Sequence, residues 1–187
     1  MSVLAPGILI AAPPLDDPHF DRSVVLLASH DEEGAFGWVI NGSEVMSLEE
    51  LLVRAGISDE PRELPGVVRR GGPVSEEQVW LVYPEGSRLV GVEGQIQVAP
   101  GLMATASRTF LEELAGGRAV PGLLAIAGYA GWGPGQLERE IQRGSWLPGP
   151  ADVDLVLETP AADAWFRAYE RVGTSPFAFA TRTVGLA

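Results

Sequence analysis

Apolar residues fall along this chain in short runs broken by clusters of Gly, Pro and Asp, a rhythm that predicts buried strands joined by tight turns with a few amphipathic helices between them. Ile8–Ala12 is the first run, closed by Pro13-Pro14 and a turn at Asp16-Asp17-Pro18. Ser23–Ser29 is nearly all apolar and reads as a buried strand, with Ala35–Ile40 as its hairpin partner across Asp31–Gly34. Ser47, with Glu50 three residues on, forms a capping box ahead of Leu48, Leu51 and Leu52, so a short helix runs to about Ala55 and stops at Gly56. Val67-Val68 leads into Gly71-Gly72-Pro73-Val74, Val79–Tyr83 is a strand, and Leu89–Val98 contributes another strand or hairpin.

Helical spacing returns over Pro100–Leu114, where Leu102, Met103, Ala106, Phe110, Leu111 and Leu114 share a face, and Gly116-Gly117 ends it. Leu123–Ala127 reads as a buried strand that empties into a glycine-rich loop, Gly128–Gly135, before a helix over Gln136–Gln142. Asp154–Glu158 reads as a strand, Pro160–Val172 as an amphipathic helix with Pro at its start, and Phe177–Ala187 as a tail or last edge strand. Strands and helices are interspersed without βαβ alternation, and the early hairpin favours antiparallel pairing. The pattern therefore predicts an α+β fold with a mixed sheet.

Composition narrows the function classes. At 187 residues, 46% hydrophobic and 20% charged, the chain suits one globular domain spanning residues 1–187. It has no cysteine, which excludes disulfides, thiolate catalysis and cysteine-ligated zinc or iron–sulfur centres. The two histidines, His19 and His30, share no ligand spacing, so neither a metal nor a cofactor is expected. The longest apolar stretch, Ala119–Gly133, is too short and too broken to span a bilayer, and the N-terminus lacks the basic start of a signal peptide. A cytoplasmic protein is expected. The net charge of −12 repels nucleic acid and anionic lipid at long range, and no helix-turn-helix with a basic recognition helix is visible.

Three blocks carry a resemblance. The first runs from Leu9-Ile10-Ala11-Ala12-Pro13 through Asp17-Pro18-His19-Phe20-Asp21-Arg22-Ser23 to Gly34-Ala35-Phe36-Gly37 and Val39-Ile40-Asn41. The second is Gly71-Gly72-Pro73-Val74, and the third is Gly128-Tyr129-Ala130-Gly131-Trp132-Gly133-Pro134-Gly135-Gln136-Leu137-Glu138-Arg139-Glu140-Ile141 with Trp146-Leu147 after it. In this order they resemble the YqgE/AlgH family. The resemblance implies a compact single domain whose sheet is partly rolled, with helices packed on it. Members are described as candidate transcriptional regulators and share no agreed catalytic residues. The sequence departs from the family pattern at Gly42-Ser43, where a basic residue and proline are usual, and at Gln78 and Tyr83, where an arginine and a histidine are common.

Two segments invite chemistry. A strand, a glycine loop and a helix start at Gly128–Gly135 can cradle a phosphate through backbone N–H groups. The spacing matches neither the dinucleotide fingerprint nor the P-loop, and a tight packing turn, with Gly131 or Gly133 at positive φ or against backbone, is the other reading. Asp17, His19, Arg22 and His30 suit acid–base work, or else a capped turn in which Arg22 meets a carboxylate. Ser23 lies in no nucleophile elbow. Arg69-Arg70 is the adjacent arginine pair, and Trp132 or Trp146 offers a partner anchor. The expectation is a regulatory domain, more a non-enzyme than an enzyme, acting through an unidentified protein partner and not through direct nucleic-acid or membrane contact. The alternative is a protein binding a small anionic ligand or nucleotide, with Arg22, Asn41, Gly128, Gly131, Gly133 and Gln136 as the candidate contacts.

Overall fold

The computed structural model describes residues 4–13, 15, 17–59 and 64–180. Its first strands are apolar throughout because both of their faces are covered. In β1 (Gly7–Ala11), Ile8 and Ile10 join one buried cluster while Leu9 and Ala11 join another. In β2 (Val24–Asp31), Val24 and Leu26 face the first cluster, and Val25 and Leu27 face the second. Next come β3 (Gly34–Val39), β4 (Glu44–Ser47), α1 (Leu48–Arg54), β5 (Val67–Arg70), β6 (Val74–Pro84), β7 (Gln95–Ala99) and β8 (Leu102–Thr105). They are followed by α2 (Arg108–Ala115), β9 (Leu124–Trp132), α3 (Gln136–Gln142), β10 (Trp146–Gly149), one π-helical turn (Asp154–Glu158) and α4 (Ala161–Arg171).

The sheet order is β10-β1-β2-β3-β9-β6-β8-β7, antiparallel at each step. The β4–β5 hairpin joins from the side, with β5 parallel to β9. The sheet curls until β7 approaches β2, giving a partly rolled half-barrel. Trp38, Val82 and Ile126 fill its interior, and Leu155, Trp165 and Tyr169 close it. On the outside, α1 and α2 place Leu48, Leu51, Phe110 and Leu114 over the β6–β9 face, and α3 places Leu137 over β1–β3. The fold is α+β, a mostly antiparallel mixed sheet with helices packed on it.

The capping box holds as expected: Ser47 Oγ accepts from the Glu50 N–H at 3.1 Å, and Gly56 ends the turn at φ +62°. Three expected elements differ. Leu102–Thr105 is a fully buried strand and not the start of a helix, which begins at Arg108. Its apolar run satisfies both periods, and pairing with β6 and β7 decides between them. Asp154–Glu158 is a helical turn; Asp152 Oδ1 accepts from the Leu155 N–H at 3.0 Å and starts it off the sheet. Phe177–Ala180 forms a short helical turn, and residues 181–187 lie outside the described residues.

The glycine segment differs most. Gly128–Trp132 is the second half of β9, not a loop. At Gly128 the strand changes partner. Up to Ala127 it runs beside β5, and from Ala130 it runs beside β3. The Gly71–Pro73 segment fills the junction: the Val39 N–H donates to the Gly71 carbonyl at 2.8 Å, and the Gly71 N–H donates to the Ala127 carbonyl at 2.7 Å. Positive φ falls on Gly128 (+74°) and Gly135 (+67°), not on Gly131 or Gly133. A Cβ on Gly131 would come no closer than 3.5 Å to the Tyr129 ring, and one on Gly133 would lie 3.9 Å from Gln136.

Candidate functional site

A cleft with a cavity volume of about 510 Å³ lies between the Pro18–Ser23 loop, the end of β3 and the start of α4. Arg22 and Asn41 both line it. Asn41 works as a clip. Its Oδ1 accepts from the Val24 N–H at 2.8 Å, and its Nδ2 donates to the Arg22 carbonyl at 2.9 Å. The clip holds Arg22 at φ +51°, a left-handed conformation that a non-glycine residue adopts only where its surroundings impose it. The Arg22 guanidinium lies over the Trp165 ring, 5.6 Å from its centroid, and pairs with no carboxylate among the described residues. The expected Arg22 ion pair is thus replaced by a cation–π contact. The Trp165 indole is itself fixed by donating to the Ala11 carbonyl at 2.8 Å.

Further groups give the cleft its polarity. Ser23 is 4% exposed, and its Oγ is buried with no hydrogen-bond partner among the described residues. Ala161 and Ala162 line the cleft at the start of α4, whose N-cap position is Pro160 and carries no side-chain cap. Their backbone N–H groups belong to the first turn, which has no acceptors inside the helix. Arg70 also lines the cleft but is tied to Glu76 at 2.6 Å. Its neighbour Arg69 points elsewhere, to Glu44 at 3.1 Å. His19 and Asp21 also line it. Asp17 acts as a turn cap, accepting from the His19 N–H at 2.8 Å.

The remaining nominated residues lie away from the cleft. Gln136 fastens the end of β9 to α3: its Oε1 accepts from the Gly133 N–H at 3.1 Å, and its Nε2 donates to Glu140 at 2.8 Å. Glu140 was not picked out by the sequence, yet it organises the third block. Its Oε2 accepts from both Trp132 Nε1 and Trp146 Nε1 at 2.8 Å. Both tryptophans are buried, at 6% and 4% exposure, so neither is an exposed anchor. They hold Phe20 instead, whose ring centroid is 5.5 Å from Trp146 and 6.4 Å from Trp132. Phe20 in turn anchors the loop that carries Arg22 and Ser23. Three donors converging on one carboxylate with this register is the signal a sequence reading could use.

His30 belongs to a different place. Its Nδ1 accepts from the Leu4 N–H at 3.1 Å, so its Nε2 donates to Glu138 Oε1 at 3.0 Å. The Glu138 carboxyl is held below its ordinary range, first by a backbone N–H at the start of α3 and then by His30. Among the described residues, no group of three His, Asp or Glu side chains is placed to hold a metal, and no helix is long and apolar enough to cross a membrane.

A family profile described as AlgH-like matches residues 8–177. A UPF0301 protein of Anaeromyxobacter dehalogenans is 38% identical over 187 residues, covering 94% of this chain and 91% of that protein. A second, from another Anaeromyxobacter strain, is 40% identical over 186 residues, covering 95% and 92%. The solution structure of the AlgH protein of Pseudomonas aeruginosa superposes with a TM-score of 0.75 at 30% identity, covering 100% of this chain and 97% of that one. A crystal structure of a Corynebacterium diphtheriae protein gives 0.71 at 27% identity, covering 89% and 86%. The chain belongs to the AlgH-like family.

Proposed function

We propose that this AlgH-like chain is a regulatory protein that responds to a small anionic ligand held in the cleft between the Pro18–Ser23 loop and α4, and that it does not act by contacting DNA. The observation that carries the reading is Ser23. Its buried hydroxyl has no hydrogen-bond partner among the described residues, which costs about 1–3 kcal/mol unless a bound molecule or a water completes it. The start of α4, without a side-chain cap, and the Arg22 guanidinium, which meets no carboxylate among the described residues, make the surroundings attractive to negative charge. Among the described residues no base is hydrogen-bonded to the Ser23 hydroxyl, so the site has the character of a binding cleft more than of a nucleophilic centre.

At a net charge of −12, long-range attraction is absent, so recognition rests on these short contacts. The same charge opposes duplex DNA, and Arg54, Arg69, Arg70, Arg108, Arg167 and Arg171 are already paired with acids. A protein partner remains part of the reading through one observation. Phe166 on the cleft wall is 42% exposed and lies 6.5 Å, ring to ring, from Phe177, which is 72% exposed. A partner seated on that pair would sense whether the cleft is filled.

The test is calorimetry and thermal shift on the full chain against a panel of small anions: inorganic phosphate, citrate and mononucleotides. Saturable stabilisation that weakens in both Ser23→Ala and Arg22→Ala is the expected result. If no anion stabilises the protein at millimolar concentration, the reading is wrong.

A further inference from the structure

We infer that the ligand of this cleft is a phosphomonoester carried on a flat aromatic group, the class to which nucleoside 5′-monophosphates belong; the inference rests on the anion-binding reading above. Size is the first ground. The cavity of about 510 Å³ lies within the range of roughly 300–1,000 Å³ that encloses drug-sized organic molecules, far more than a lone oxyanion fills.

The donors are the second ground. Ser23, whose buried hydroxyl has no hydrogen-bond partner among the described residues, Ala161 and Ala162 of the first turn of α4, and Arg22 all line the cleft. A carboxylate offers two oxygens to such a set, and a phosphomonoester offers three with a higher charge. Arg22 suits this role because its guanidinium lies over the Trp165 ring, 5.6 Å from the centroid, and pairs with no carboxylate among the described residues, so its donors remain for a ligand. Arg70, committed to Glu76, is not the principal cation.

The third ground is the rest of the wall. Phe166 presents an exposed aromatic face, and Val39 and Pro18 add apolar surface. A flat aromatic group fits there, as a base stacks on a phenyl ring. Asp21 is the acid among the cleft residues. It repels a ligand charged along its whole length and accepts well from sugar hydroxyls, so the charge of the ligand sits at one end and hydroxyls beside it.

The experiment is calorimetry on the full chain with AMP, GMP, CMP and UMP, set against adenosine, inorganic phosphate, citrate and an aromatic carboxylate. At least one nucleotide should bind at least tenfold more tightly than both adenosine and inorganic phosphate. Ser23→Ala and Phe166→Ala should each weaken it by about tenfold, which is 1.4 kcal/mol, while the melting temperature of Ser23→Ala stays at or above that of the parent and that of Phe166→Ala falls by no more than a few degrees. Arg22→Gly, which removes the cation and keeps the left-handed backbone, should abolish the preference over adenosine. Binding of citrate or the aromatic carboxylate with the same variant dependence, and no binding of nucleotides, would overturn the phosphomonoester inference and leave the anion cleft standing. Nucleotide binding that none of the three variants changes would overturn it too. Absence of binding by every anion would remove both readings.

Discussion

Alanine at position 128 separates two accounts of the glycine-rich segment. Gly128 sits at φ +74°, and a Cβ there would lie 2.6 Å from the Gly72 carbonyl oxygen and 3.0 Å from that of Val74. The left-handed backbone alone costs an L-residue about 1–2 kcal/mol. Backbone carbonyls cannot swing aside as a flexible side chain can, so the clash adds about 1–3 kcal/mol. The reduced freedom of the unfolded chain returns about 0.4–1 kcal/mol. Gly128→Ala should therefore destabilise by about 2–4 kcal/mol, a fall in melting temperature of roughly 5–15 °C for a chain of this size. Gly131→Ala and Gly133→Ala are the controls. Neither has positive φ, and the nearest atoms to an added Cβ are 3.5 Å and 3.9 Å away. Both should stay within about 0.5 kcal/mol of the parent. The assay is calorimetric or circular-dichroism melting of the three variants side by side. Losses at 131 or 133 that match or exceed the loss at 128 would refute the partner-switch account of β9.

Glu140→Gln should cost about 2–3 kcal/mol, since an amide cannot accept from Trp132, Trp146 and Gln136 as the carboxylate does; denaturant unfolding followed by tryptophan fluorescence reads it. Burial pushes the Tyr83 and Tyr169 phenols up to about 12, so folding favours their neutral form. That contribution is full below the ordinary phenol value of 10.0 and is lost as pH rises toward 12, so the denaturation midpoint should fall over that window, and less steeply in Tyr83→Phe. Glu138 titrates below the ordinary 4.5, so its contribution is present above that value and lost as pH falls through the lowered one; Glu138→Gln should flatten this acid limb of stability. Gel-shift titration with duplex DNA at physiological salt should show no sequence-specific complex at submicromolar protein, and a salt-dependent shift there would count against the proposed function.

Where a run is apolar on both faces, as in β1 and β2, its strand character is legible from sequence alone, because no polar residue can be placed without being buried. The same property made Leu102–Thr105 ambiguous, since a wholly apolar run fits either period and only its sheet partners decide. The glycines of the third block were visible, but the demand on each was not. Which glycine needs positive φ depends on where β9 leaves β5 for β3, a contact between segments far apart in the chain. The cleft was half legible. Arg22 and Asn41 were in view, while the Ser23 hydroxyl, without a partner among the described residues, and the bare start of α4 exist only once four distant segments meet.

The glycine-rich segment nevertheless bears on the cleft, as its support and not as its lining. Gly72 lines the cleft, and Gly128 packs against the Gly72 carbonyl from behind. Val39, also in the wall, is held to the Gly71 carbonyl, whose own N–H reaches β9 at Ala127. Farther along the same block, Glu140 fixes the two indoles on which Phe20 rests, and Phe20 carries the loop of Arg22 and Ser23. Two routes thus run from one sequence block to the lining of one cleft. A substitution on either route, Gly128→Ala or Glu140→Gln, should weaken ligand binding by displacing a wall although no cleft residue is itself replaced. Gly131→Ala lies on neither route and should bind as the parent does. Equal affinity in all three would mean that the block serves stability alone.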